Sequence, residues 1–109
     1  MTLIAAAELA GVLRAAIEGR AALSLVGRES WGEMYCGNVE FQVDGWRVTF
    51  FNDCGELDYV DSVTAPDGRA AEYGDWFDSG GTGADPIDLL SITGESNALL
   101  TLLESIERC

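Results

Sequence analysis

Within nine residues, from Asp53 to Asp61, the run DCGELDYVD sets four carboxylates and a thiol close together. Three chemistries use such groups. Hard cations take carboxylate oxygens, and Asp53, Glu56, Asp58 and Asp61, with Asp67 beyond them, could supply them. The run nonetheless lacks the glycine position, ligand spacing and flanking helices of an EF-hand calcium loop. On a strand, Glu56 and Asp58 share one face while Asp61 points to the other. Two carboxylates can also hydrolyse a glycoside. With 19 acids in the chain, however, some pair stands at almost any separation, and the pattern singles out none. A nucleophilic thiolate, finally, needs positive neighbours, and Cys54 lies between Asp53 and Glu56. Cys54 therefore reads as a turn residue and the acids as solvated edge and turn residues. No catalytic residue, metal site or cofactor is expected.

The missing residue types narrow the chemistry further. There is no histidine, and all six basic residues are arginines. A histidine-dependent triad, a Cys-His zinc site and a two-histidine metalloprotease site are excluded. So are a lysine Schiff base and a P-loop lysine. The glycine-rich run SGGTGAD, residues 79–85, lacks that lysine and reads as a loop. Cys36, Cys54 and Cys109 are odd in number and form no CxxC, so free thiols in a reducing cytoplasm are expected. A Cys36–Cys54 bridge is geometrically open but not indicated.

Net charge is −13. Residues 1–28 carry +1, residues 29–68 carry −8 and residues 69–109 carry −6. Such a chain lacks the basic footprint that a phosphate backbone demands, and its field steers a basic partner toward it. Acidity can equally serve solubility alone. Apolar residues make up 48% of the 109 residues, enough for one folded domain with a core. No apolar run is long enough for a membrane span. The N-terminal alanines are interrupted by Glu8 and Arg14 and follow no basic stretch, so no secretory signal is expected.

The elements that would position these residues follow from periodicity. Leu9, Val12, Leu13, Ala16 and Ile17 make one face of a helix over residues 3–18. Thr2 is its expected cap, Gly19 its stop, and Arg14–Glu18 a weak surface pair. Residues 20–37 are harder to read. ALSLV fits a short strand, and Trp31, Met34 and Tyr35 are expected to fold back onto the core. From residue 38 the pattern is clear. Val39, Phe41 and Val43 alternate with polar residues up to Asp44-Gly45, a two-residue hairpin turn. That turn pairs Val43 with Trp46, Phe41 with Val48 and Val39 with Phe50. A second tight turn centred on Asp53-Cys54 would pair Phe50 with Leu57 and Val48 with Tyr59. APDGR, residues 65–69, is a third turn, and AAEY fits a fourth strand. Asp85-Pro86 opens a short helix to about Ile92. A last helix, about 95–107, shows Leu99, Leu102, Leu103 and Ile106 on one side.

This register leaves a second sheet face carrying Glu40, Gln42, Arg47, Thr49, Phe51, Glu56, Asp58 and Val60. Phe51 and Val60 among charges have the composition of a contact patch, unless a helix or loop covers them. Trp76 and Phe77, in the glycine-rich stretch 74–85, read first as a core anchor and second as a partner hot spot.

The runs VDGWRVTFFNDCGELDYVDS, APDGR and DPIDLL resemble a family of short uncharacterised proteobacterial proteins, a domain of unknown function, over roughly residues 33–104. That resemblance implies no activity and no site residues. Size and charge alone are similar to small acidic immunity and anti-defence proteins, some of which mimic DNA. The expectation is a single α+β domain over residues 1–109. It comprises an N-terminal helix, a three- to four-stranded antiparallel meander and two C-terminal helices on its apolar face. The expected function is non-catalytic: Glu40, Glu56 and Asp58 around Phe51 occupy a basic surface of a protein partner, with no membrane and no direct nucleic-acid contact. A ligand- or divalent-cation-binding accessory domain is the alternative.

Overall fold

In the computed structural model, which describes residues 4–26, 31, 36–77 and 83–105, Asp44 and Gly45 sit at φ 48° and 95°. This is the left-handed pair that a two-residue hairpin turn requires. The turn joins β2 (Cys36–Val43) to β3 (Trp46–Asp53) in the register read from the sequence: Val43 opposite Trp46, Phe41 opposite Val48, Val39 opposite Phe50. β1 (Leu23–Leu25) lies on the free edge of β2. β4 (Glu56–Thr64) and β5 (Ala70–Glu72) follow β3, so five antiparallel strands stand in chain order. The sheet is wider than expected because ALSLV pairs as a strand and Ala70–Glu72 folds back on Ser62–Thr64.

The second hairpin departs from the expected register. Its turn is Cys54-Gly55, at φ 54° and 96°, so Asp53 faces Glu56 and Asn52 faces Leu57. The ladder then slips twice. Phe51 pairs with Tyr59 and Phe50 with Val60, leaving Asp58 over; Thr49 pairs with Ser62 and Val48 with Val63, leaving Asp61 over. Each extra residue is a β-bulge, which turns the following side chain to the other face. Tyr59 therefore leaves the core face and Val60 enters it, and the second bulge brings Val63 back to that face.

Three helices cover that apolar face. α1 (Ala6–Ile17) starts at Ala5, which makes no side-chain cap; Thr2 lies outside the described residues. Gly19, at φ 81°, ends it. Arg14 bonds Glu95 at 2.8 Å instead of Glu18, which pairs with Arg20. α3 (Ser96–Ser105) buries Leu99 and Leu103, while Ile106 falls outside the described residues, as do Met34 and Tyr35. Leu9, Leu13, Leu90, Leu99 and Leu103 meet Phe41, Val48, Phe50 and Val60 in one core. Trp31 closes one end, 1% exposed; Asn52 Nδ2 donates to its carbonyl at 3.1 Å.

α2 (Pro86–Ile92) is held differently. Asp85 caps it, one carboxylate oxygen accepting from the Asp88 N–H at 3.0 Å, while Asp88 accepts in turn from the Asp85 N–H at 3.2 Å. The other Asp85 oxygen accepts from the Val60 N–H in β4 at 2.9 Å. Asp85 is 1% exposed, and burial, opposed by its two N–H donors, pushes its carboxyl up to about 6.

Two consequences can be measured. Asp85→Ala removes the cap, about 1 kcal/mol, and strands a buried N–H, about 1–3 kcal/mol. A loss near 3 kcal/mol in urea denaturation is expected, and a smaller one for Asp85→Asn, which keeps one acceptor. The pH dependence has a definite sign. The folded carboxyl titrates above its ordinary value of 3.8, so its favourable contribution is complete below that value and is lost as pH rises through about 6. Between pH 7.5 and 5 the native chain gains about 1 kcal/mol relative to Asp85→Asn by this linkage. Glu8 and Asp67, held low by Arg69, and Glu95, held low by Thr93 and Arg14, act oppositely at lower pH. The pH of greatest stability therefore lies on the acid side of neutrality.

Candidate functional site

The face of the sheet away from the helices is built by β2 and β3 alternation and by the bulges of β4. Glu40 and Arg47, diagonal neighbours across β2 and β3, stand 3.7 Å apart on it. Asn38 lies opposite Phe51 and Glu40 opposite Thr49. The bulge at Asp58 brings Tyr59 opposite Phe51, and their rings stack at 5.1 Å and 16°. Tyr59 meets Tyr73 at 4.5 Å, and Tyr73 meets Phe77 at 4.8 Å. Four aromatic rings thus run in a ladder from the middle of β3 to the 3₁₀ turn Tyr73–Trp76 and the residue after it.

Phe51, Tyr59 and Phe77 are half-buried, while Tyr73 is 40% exposed. The Tyr73 phenol is raised above its ordinary value, first by partial desolvation and then by the negative field of Asp85, Asp88 and Asp58. A ring face beside several carboxylates suits a guanidinium or ammonium group, which the ring quadrupole and the negative charges attract together.

The sequence-predicted residues distribute unevenly over this surface. Glu40, Arg47, Phe51 and Asp58 lie on it or at its bulge, and Phe77 ends the ladder. Glu56 is exposed at the Cys54-Gly55 turn, across from Asp53. Val60 is corrected: the bulge at Asp58, not strict alternation, sets its direction, and it is fully buried in the core. Trp76 is also a core residue, 9% exposed, with its indole N–H donating to the Ile4 carbonyl at 2.9 Å. Phe77 is held by a bridge to Gly83, where a Cβ would stand 2.1 Å from the Trp76 carbonyl oxygen. Residues 78–82 of the glycine-rich run lie outside the described residues.

Tyr59 and Tyr73 escape a reading by strict alternation. The available signal is Leu57, Val60 and Val63, apolar at spacing three where an unbroken strand repeats at two.

Two further features frame the face. At the end of β2, Cys36 lies opposite Asp53, and the Cys36 and Cys54 sulfurs and an Asp53 oxygen lie within 4.8 Å of one another, all exposed. Behind the same turn, a pocket of about 280 Å³ is lined by Glu56, Leu57, Ser91, Ser96, Asn97 and Leu100. Among the described residues that line it, Glu56 is the one acid. Among the described residues no helix is long and apolar enough to cross a membrane.

Residues 3–105 match the family model of a domain of unknown function, DUF7693. No curated protein and no solved structure matches the chain.

The two sides of the sheet should respond differently to truncation. Val60→Ala opens the core and costs about 2 kcal/mol. Tyr73→Ala removes partly exposed ring contacts and costs about 1 kcal/mol. Thermal denaturation of the two variants checks this ranking. The ranking also identifies Tyr73→Ala as a variant that keeps the fold.

Proposed function

We propose a function for a chain that belongs to the DUF7693 family, a family whose description attaches no activity: it is a non-catalytic binding module for a basic protein surface. An arginine- or lysine-bearing segment of the partner lies along the outer sheet face, and the chain acts on that partner as an inhibitor or immunity-type protein. The observation that carries this reading is the ladder Phe51–Tyr59–Tyr73–Phe77, whose most exposed ring, Tyr73, lies in the negative field of the exposed carboxylates of Asp58 and Asp88.

Charge supports the same reading. Each arginine among the described residues is engaged by an acid of the chain: Arg14 by Glu95, Arg20 by Glu18, Arg47 by Glu40, Arg69 by Glu8 and Asp67. Asp53, Glu56, Asp58 and Asp88 face solvent without an arginine partner among the described residues, and a net charge of −13 draws a cationic surface in from a distance. Aromatic rings then supply the desolvated contact area that charge alone does not give.

The test is capture from the host lysate on immobilised wild-type chain and on Tyr73→Ala and Asp58→Asn variants. A retained protein with a basic surface is expected, released by raising salt and held at least about tenfold more weakly by Tyr73→Ala, as a hot-spot truncation of 1.4 kcal/mol or more implies. Capture that ignores salt, or that Tyr73→Ala leaves unchanged, contradicts the reading.

A further inference from the structure

We propose that Cys36, Asp53 and Cys54 form a zinc-binding site at the end of the β2–β3–β4 sheet, separate from the aromatic ladder. The register sets Cys36 directly opposite Asp53, and the Cys54-Gly55 turn places the second thiol beside them. Two sulfurs and one carboxylate oxygen lie within 4.8 Å of one another. Two ligand atoms on one tetrahedral zinc stand roughly 3.5–3.8 Å apart, from bond lengths of about 2.0–2.3 Å. Exposed side chains close that difference by rotation, without movement of the strands.

The turn itself gives a second reason. Asp44-Gly45 and Cys54-Gly55 have nearly the same backbone, φ 48° and 95° in one and 54° and 96° in the other. The first position of such a turn favours Asn, Asp or Gly. Asp44 meets that preference and also accepts a hydrogen bond from the Ala22 N–H at 3.0 Å. Cys54 takes the same left-handed conformation without belonging to the favoured types, a cost that points to a role for its side chain. In that place its sulfur joins the sulfur and carboxylate brought together by β2 and β3.

The donor set selects the metal. Two thiolates are soft ligands that suit zinc and disfavour magnesium and calcium, which take oxygen. All three donors sit on paired strands or their tight turn. A fourth position faces solvent, where water completes the tetrahedron and Glu56, across from Asp53, adds negative charge. On binding, each thiol gives its proton to solvent and becomes a thiolate, so affinity falls as pH falls. The ion ties the first residue of β2 to the turn between β3 and β4.

The test uses the full chain carrying Cys109→Ser, leaving only these two thiols, under a non-thiol reductant. Cobalt(II) is titrated first as a spectroscopic stand-in. A sulfur-to-cobalt charge-transfer band is expected to saturate at one equivalent and to vanish when zinc displaces cobalt. Zinc should raise the melting temperature; calcium and magnesium should not. Cys36→Ser and Cys54→Ser should each abolish the band, and Asp53→Asn should weaken binding at least about tenfold, the lower bound for loss of a supporting ligand contact. Cys54→Asn, whose side chain suits the left-handed turn, should fold as well as the parent and still lose the band. No band with millimolar cobalt, a band that survives either cysteine substitution, or an affinity unmoved by Asp53→Asn overturns the proposal. Capture of a basic partner is measured separately, so failure of the zinc site and failure of the docking reading are distinguishable.

Discussion

Asp85 gives one carboxylate oxygen to the N–H of Asp88 at the head of α2 and the other to the N–H of Val60 in β4. One side chain thus satisfies a helix terminus and a strand at once, in a place where water does not reach. Its position fixes much else. With Val60 pinned at its backbone, the side chain stays in the core and Tyr59, one residue earlier, stays on the outer face. The segment that delivers Asp85 comes from Gly83, whose missing side chain lets it pass against Trp76 and Phe77. The seat of the aromatic ladder and the seat of α2 therefore have a common origin.

How much of this could be read beforehand depends on how each turn announces itself. Asp44-Gly45 is the favoured residue pair for its geometry, and the apolar alternation on both sides confirms the register. The start of α2 is equally plain, with Asp85, Pro86 and Asp88 each at the position its chemistry favours. The β3–β4 turn is hidden because Cys54 is not a residue type that declares a left-handed position. Its displacement by one residue shifts the partners but not the faces; the bulge at Asp58 that follows moves Val60 and Tyr59 to opposite sides from those expected. A bulge leaves little local mark. Asp58 and Asp61 look like any exposed acids until Leu57, Val60 and Val63 are seen to keep a period of three. Contacts between distant segments, such as Arg14 with Glu95, have no signature in spacing at all.

Arginine use is similarly economical. Arg69 spans two elements, its guanidinium donating two bonds to Glu8 in α1 at 3.0 and 2.8 Å and a third to Asp67 in its own turn at 2.8 Å. Such a forked pair holds orientation as well as charge. It fastens the β4–β5 connection to the first helix, and Arg14 fastens that helix to the start of α3. The positive charges of the described chain are thus spent on assembling the helices and turns, with Arg47 on the outer face held by Glu40. The surface that remains is acidic because 19 acids stand against six arginines.

The capture of the Val60 N–H by Asp85 also bears on how other chains can approach. β5 covers β4 only from Ser62 to Thr64, so the stretch before it would be a bare strand margin open to a foreign strand. One of its donors is already occupied by a side chain from within, and the bulges at Asp58 and Asp61 break the regular spacing of the rest. Main-chain zippering, whether by aggregation or by an extended peptide adding itself to the sheet, is obstructed there. A visitor to this part of the molecule meets rings and carboxylates in place of free amides, and is sorted by the side chains it carries.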